Sequence, residues 1–131
     1  MDEARLEDRR TLGRTAAWLA KQVEIGLSSV DLSLPQYRML AMLDGTSALS
    51  SDLAERLAVR PPTVTAVVDG LVIRGLVERR TVEADRRRVD HVLTEHGCQL
   101  LDAADADEAF GGLSMWRRAL IASRLARGAH R

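Results

Sequence analysis

The sequence predicts a mainly α-helical domain that carries one small β-hairpin. Apolar residues recur at steps of three and four along most of the chain, which is the spacing of amphipathic helices. Cap and break residues divide this pattern into separate helices, and a single β-prone stretch lies near residues 76–93. The 131 residues leave no room for a second full domain, and a 46% hydrophobic content is enough to form a core.

The first helix is predicted over about residues 3–28. Its apolar stripe consists of Leu6, Leu12, Ala16, Leu19, Val23 and Leu27. Ala17 and Ala20 widen the stripe, and no neighbouring segment of the sequence covers it. We therefore expect a partner chain to cover this helix.

The second helix is predicted to begin at Ser33. A hydroxyl at that position caps free N–H groups, and Pro35 stands in the first turn, where no N–H is needed. Tyr37, Leu40 and Leu43 are expected on the inner face. Asp44 and Gly45 end the helix.

Two short helices follow. Ser50 is the predicted N-cap of a helix that reaches about Ala58, and Pro61 opens another that reaches about Arg74. The expected buried residues are Leu53, Ala54 and Leu57 in the first and Val64, Val67 or Val68, and Leu71 in the second. Two such helices joined by a short turn form a helix-turn-helix.

A charged hairpin follows the helix-turn-helix. Gly75 stops the preceding helix, β-prone residues run through 76–80 and 89–93, and residues 83–88 are predicted to form the charged tip between them. A hairpin in this place is the wing of a winged-helix domain. Thr94 then caps a fifth helix to about residue 109, and Ser114 caps a sixth.

The run from Leu49 to Gly97 resembles the winged-helix core of MarR-type transcriptional regulators. The matching features are Ser50 with Leu53-Ala54, Thr63-Val64-Thr65, Arg74-Gly75-Leu76-Val77, Asp85-Arg86-Arg87, and Leu93-Thr94 with Gly97. The resemblance implies one domain over 1–131, with dimerisation helices at 1–30 and 95–131 and a winged-helix DNA-binding core at 32–94. It further implies a homodimer, palindromic double-stranded DNA as a partner, and a small-molecule effector.

DNA contacts are expected from the fourth helix and from the wing. Arg60 would clamp a phosphate or read guanine, Thr63 would reach a phosphate or a thymine methyl, and Thr65 is either a contact or partly buried. In the wing, Arg86 or Arg87 would enter a minor groove while Asp85 holds an arginine by a salt bridge; the alternative is a solvated turn. The expected DNA-binding set is Arg60, Pro62, Thr63, Thr65, Ala66, Asp85, Arg86, Arg87 and Arg88.

The fourth helix, which is the recognition helix in this family, also departs from the family pattern. Ala66 and Gly70 stand where basic or amide side chains are common, and an exposed Asp69 would repel phosphate. The chain as a whole carries 19 basic and 19 acidic residues, so its net charge gives no sign of a nucleic-acid partner.

Other candidate sites are weaker. Trp18, Tyr37 and Trp116 are either walls of a ligand pocket or ordinary core aromatics. The spacing of His91, Glu95, His96 and Cys98 does not favour a metal site, and no cofactor is expected. Cys98 itself is expected to be a small buried side chain, with a redox switch as the alternative.

The predicted function is that of a homodimeric, ligand-responsive repressor that binds palindromic duplex DNA. No nucleophile has a neighbouring base, so no enzymatic activity is expected. No apolar run is long enough to cross a membrane and the N-terminus is charged, which favours a cytoplasmic location. The alternative is a winged-helix protein-interaction module with weak or no specific DNA binding, which the sparse recognition face and zero net charge favour.

Overall fold

A computed structural model describes residues 2–82 and 84–106 of the chain, with Arg86 described by its backbone. The helices are α1 (Glu3–Leu27), α2 (Leu34–Leu43), α3 (Ser50–Leu57), α4 (Pro61–Ile73) and α5 (Glu95–Ala106), with a 3-10 turn at Ser28–Val30. The strands are β1 (Ser47–Leu49), β2 (Val77–Val82) and β3 (Asp85–Leu93). The predicted sixth helix and the predicted end of the fifth lie outside the described residues.

The start of α2 confirms the predicted cap. The Ser33 hydroxyl accepts a hydrogen bond from the Gln36 backbone N–H at 3.2 Å, and the Gln36 side chain accepts one from the Ser33 N–H at 3.0 Å. These reciprocal bonds satisfy two N–H groups that the first helical turn leaves without a partner. The helix therefore begins where the sequence predicted.

The start of α3 differs from the prediction by one residue. Leu49, and not Ser50, is the N-cap, because Leu49 ends strand β1 in an extended conformation with φ −77° and ψ 157°. The Asp52 carboxylate accepts a bond from the Leu49 N–H at 3.4 Å and supplies the acidic first turn. At the other end, Ala58 has a φ of 54°, which turns the chain sharply into α4.

The three strands form one antiparallel sheet in the order β1-β3-β2. Strand β1 was not predicted; it pairs Ser47 with Val92 and Leu49 with Asp90 on the central strand. The hairpin is also longer than predicted, since β3 begins at Asp85 and pairs it with Val82. The predicted charged tip over 83–88 is therefore wrong, because residues 85–88 belong to β3 and only two residues separate the strands.

The hydrophobic core lies between the helices and the root of the wing. Its fully buried members come from the end of α1, from α2, α3, α4 and α5, and from the residue before β2, and they include Leu27, Leu40, Leu53, Leu71, Leu76 and Leu101. The N-terminal part of α1 lies outside this core. Every residue from Asp2 to Trp18 is exposed in the protomer.

Gly70 offers a direct test of the packing around α4. A Cβ added there would meet the Gln36 side-chain nitrogen at 3.7 Å, an ordinary van der Waals contact. Because Ala loses less backbone entropy than Gly in a helix, Gly70→Ala is expected to raise the free energy of unfolding by about 1 kcal/mol in urea titrations. A loss of stability would contradict this description of the helix.

Candidate nucleic-acid interface

One face of α4 is buried and the opposite face is open to solvent. Val64, Val68 and Leu71 pack into the core, whereas Pro62, Ala66, Asp69 and Ile73 recur at steps of three and four on the exposed side. We call these four exposed residues the recognition stripe. Arg60, Thr63 and Thr65 are also exposed, so all five residues predicted on this helix to contact DNA are accessible.

The first turn of α4 offers little backbone for anion binding. Pro61 and Pro62 have no N–H, and the Thr63 N–H donates to the Arg60 carbonyl at 2.9 Å. A phosphate therefore cannot be held there by open backbone N–H groups, as it is at many helix N-termini. Arg60 is the N-cap, and its exposed guanidinium is the charged donor at this end of the helix.

The two threonines present different groups to solvent. Thr65 is exposed, which excludes the predicted alternative of partial burial, but its hydroxyl donates to the Pro61 carbonyl at 3.2 Å. Its methyl group and oxygen lone pairs remain available. Among the described residues the Thr63 hydroxyl makes no hydrogen bond, so it can act as either donor or acceptor.

Asp85 orders the backbone of the wing, and its predicted salt bridge to an arginine stays a prediction because the Arg86 side chain lies outside the described part of the chain. The Asp85 carboxylate accepts a hydrogen bond from the Arg87 backbone N–H at 3.0 Å. Arg87 and Arg88 are both exposed on β3. The hairpin is irregular here, because Thr81 pairs with Val89 while Val82 pairs with Asp85, and residues 86–88 have no partner among the described residues of β2.

Strand β2 places another arginine, Arg79, beside α4. No pattern in the sequence assigns this residue to the interface. The Arg79 guanidinium contacts the Asp69 carboxylate, so this acid is paired and is not the bare charge that the sequence suggested. On the same strand, Arg80 pairs with Glu78 at 3.2 Å. The ten-residue separation of Asp69 and Arg79 spans the helix end and the turn, and only the fold brings them together.

The aromatic residues predicted to line a ligand pocket lie in different surroundings. The half-buried Tyr37 donates its hydroxyl to Asp105 at 2.6 Å and thereby links α2 to α5. Trp18 is 61% exposed on α1. Trp116 lies outside the described residues, so the pocket stays a prediction.

Cys98 is exposed, so the expectation of a buried side chain is wrong. It lies in the first turns of α5, beside an open groove of about 450 Å³ whose other walls include Ser47, Arg80 and Asp90. His91 is buried, with its Nδ1 atom 3.0 Å from the Ala48 carbonyl oxygen. Within the described residues, no three His, Cys, Asp or Glu side chains lie together as metal ligands would.

A helix-turn-helix whose second helix is exposed beside a basic β-hairpin defines a winged helix-turn-helix, as the sequence predicted. The MarR family model matches residues 30–88. An HTH-type transcriptional repressor of Mycobacterium tuberculosis is 33% identical over 96 residues, which cover 72% of this chain and 69% of that protein. The chain belongs to the MarR family of transcriptional regulators.

Solved structures share this fold. The transcriptional regulator BldR from Sulfolobus solfataricus superposes with a TM-score of 0.73 at 25% identity, covering 99% of this chain and 96% of that one. A mutant of Escherichia coli MarR complexed with operator DNA gives a TM-score of 0.69 at 21% identity, with 90% of each chain covered. No helix in the described part of this chain is long and apolar enough to cross a membrane.

Proposed function

We propose that this regulator is a repressor that binds palindromic double-stranded DNA as a homodimer and is released by a small-molecule effector. The observation that carries the proposal is the exposed α4 face beside a wing with exposed arginines. In this arrangement the helix enters the major groove and the wing follows the backbone into the adjacent minor groove. The Escherichia coli protein, which has the same fold and was solved with operator DNA, supports DNA as the partner.

Each DNA-contacting group has a distinct part in the proposed complex. Arg60 clamps a phosphate at the start of α4, where no backbone N–H can do so. Small groups on α4 suit thymine methyls and base edges: hydroxyls on Thr63 and Thr65, and apolar groups on Pro62 and Ala66. Arg86, Arg87 and Arg88 supply positive charge from the wing, and Asp85 fixes the backbone that carries them.

The homodimer is supported by the uncovered part of α1. Residues 1–30 and 95–131 form the dimerisation helices in this proposal, and residues 32–94 form the DNA-binding core. An effector lodged near Trp18, Tyr37 and Trp116 would change the spacing of the two cores and shift the population away from the DNA-binding geometry. The regulator acts in the cytoplasm without a membrane partner, a cofactor or a catalytic activity.

The wing is tested by Arg87→Ala. The charge of Arg87 contributes to affinity through attraction to phosphates and to the negative potential of the minor groove. The substitution is therefore expected to weaken binding to all duplexes alike. The slope of log affinity against log salt should flatten by about 0.9 for each phosphate that the variant no longer neutralises, or about 1.8 over two subunits. Fluorescence anisotropy titrations at several salt concentrations measure both effects. An unchanged affinity and slope would show that Arg87 stays in solvent and does not contact DNA.

The recognition helix is tested by Thr63→Ala. If Thr63 contacts a base, this change should relax discrimination at one position of each half-site by roughly 1 kcal/mol while the salt slope stays nearly constant. The measurement is a set of titrations with operators mutated one base pair at a time. A uniform loss of affinity across all of them would place Thr63 on a phosphate.

A protein-interaction module is the second candidate function. The observation that favours it is Ile73, which is 86% exposed at the end of a recognition stripe whose own residues include no basic side chain. Such a face fits an apolar partner as well as it fits DNA. Equal, weak affinity for every duplex at low salt would favour this candidate.

A further inference from the structure

The recognition stripe lacks a donor suited to guanine. Pro62, Ala66 and Ile73 carry no polar side-chain group, and the fourth member, Asp69, only accepts hydrogen bonds when ionised. The hydroxyl proton of the neighbouring Thr65 is already donated to the Pro61 carbonyl. Guanine presents two acceptors in the major groove, O6 and N7, which are most often read by a guanidinium. The helix by itself cannot make this contact along its stripe.

Strand β2 supplies the missing group. The guanidinium of Arg79 reaches across to the Asp69 carboxylate, in the middle of the stripe between Ala66 and Ile73. The side chains of Arg79 and Asp69 are 39% and 53% exposed, so the pair faces solvent. Among the described residues, Asp69 is the one side-chain partner of this guanidinium, and the remaining N–H groups can therefore donate to DNA.

Stability alone does not account for this pair. An exposed ion pair typically contributes less than about 1 kcal/mol, since solvent screens both charges. Its position has a stronger consequence for DNA binding. A carboxylate on the DNA-facing side of a recognition helix repels phosphate unless a cation accompanies it, and here the cation comes from the wing.

We propose that Arg79 reads a guanine in the major groove and that Asp69 is the residue that positions it. One carboxylate contact restricts the orientation of the guanidinium plane, which leaves two parallel N–H groups for O6 and N7. The recognition surface is thus shared between α4 and β2. This inference rests on the proposed function, because it requires that α4 enters the major groove.

The test uses Arg79→Lys, which keeps the charge and loses the bidentate geometry. Affinities are measured for a duplex pool in which each operator base pair is varied in turn. Arg79→Lys is expected to lose at least about tenfold of the preference for G·C at one position of each half-site, with an unchanged salt slope. Asp69→Asn should reduce the preference at the same position, and the double variant should be no worse than Arg79→Lys alone.

Arg80→Lys is the matched control. Arg80 is on the same strand, is exposed and is paired with Glu78, but it does not reach the recognition stripe. Its base preferences should equal those of the parent. The melting temperatures of all variants should agree within a few degrees, because the Asp69–Arg79 and Glu78–Arg80 pairs are both exposed. Arg79→Gln provides a second variant if Arg79→Lys does not fold.

Three results would overturn the inference. Unchanged base preferences in Arg79→Lys, together with a flatter salt slope in Arg79→Gln, would make Arg79 a phosphate contact. Tighter binding of Asp69→Asn to every duplex would mean that Asp69 merely masks Arg79. If the parent itself shows no preference among duplexes, the proposed function fails first and the inference falls with it.

Discussion

Replacing Gly97 with Ala is expected to lower the free energy of unfolding by on the order of 3 kcal/mol, because the first turn of α5 has no room for a side chain. Gly97 is buried, and a Cβ added to it would overlap the carbonyl oxygen of Leu76 and lie 3.0 Å from the carbonyl carbon. The obstacle is backbone and not the end of a flexible side chain. The overlap can therefore be removed only if α5 moves away from the Leu76 backbone.

The surrounding hydrogen bonds oppose that movement. The Leu76 carbonyl accepts from the Thr94 N–H at 3.1 Å, and the Thr94 hydroxyl donates to the Gly75 carbonyl at 2.6 Å. The same hydroxyl accepts from the Gly97 N–H at 2.9 Å and caps α5. These three bonds hold together the end of α4, the start of the wing at Leu76 and the start of α5. A shift of Leu76 would disturb all of them.

Urea or thermal unfolding of Gly97→Ala measures the effect. Gly70→Ala is the matched control, since it makes the same substitution inside a helix where the added carbon meets only a side-chain atom at 3.7 Å. The two variants should change stability in opposite directions. Equal stability of Gly97→Ala and the parent would show that α5 does not approach Leu76 as closely as described.

Leu12→Glu is expected to convert the proposed dimer into a monomer and to reduce operator affinity by at least about a hundredfold, since the proposed palindrome needs two linked cores. Leu12 is 71% exposed in the protomer and lies on the same face of α1 as Leu19 and Val23. In the C-terminal half of the helix, Val23 on that face packs against the core. In the N-terminal half, no described residue covers it.

Sedimentation velocity and the operator titration are the two measurements. Arg14→Glu is the control, because position 14 is about 160° away from position 12 around the helix and carries a polar residue. It should remain a dimer. Because Leu12 touches no core residue, a folded monomer is the predicted product of Leu12→Glu, and a dimer of unchanged affinity would contradict the proposed role of α1.

The sequence was sufficient to predict the helices of the described part of the chain, to within a residue at the start of α3, because each has a local signal. Ser33 and Thr94 cap their helices as expected, and Gly75, with a φ of 73°, ends α4 in a conformation that suits glycine. Strand β1 has no comparable signal. Its three residues form a strand only because β3, more than forty positions later in the chain, pairs with them.

The candidate site could be predicted only in part, because some of its features follow from local patterns and others depend on contacts between distant segments. The exposed face of α4 follows from the spacing of its buried valines, so the exposure of Arg60 and Thr63 could be predicted from the pattern. The strand position of Arg87 and the pairing of Asp69 with Arg79 depend on the register of the hairpin and on its packing beside α4. Cys98 is exposed because its turn of α5 borders a groove, which no local pattern encodes.

Selection from a random pool of duplexes determines whether this regulator recognises a palindromic DNA sequence. The purified parent protein is used, and the affinity of the enriched sequence is then compared with that of a scrambled duplex at one salt concentration. We expect an enriched palindrome that is bound about a thousandfold or more tightly than the scrambled control. Recovery of no common sequence, with equal affinity for both duplexes, would contradict the proposed function.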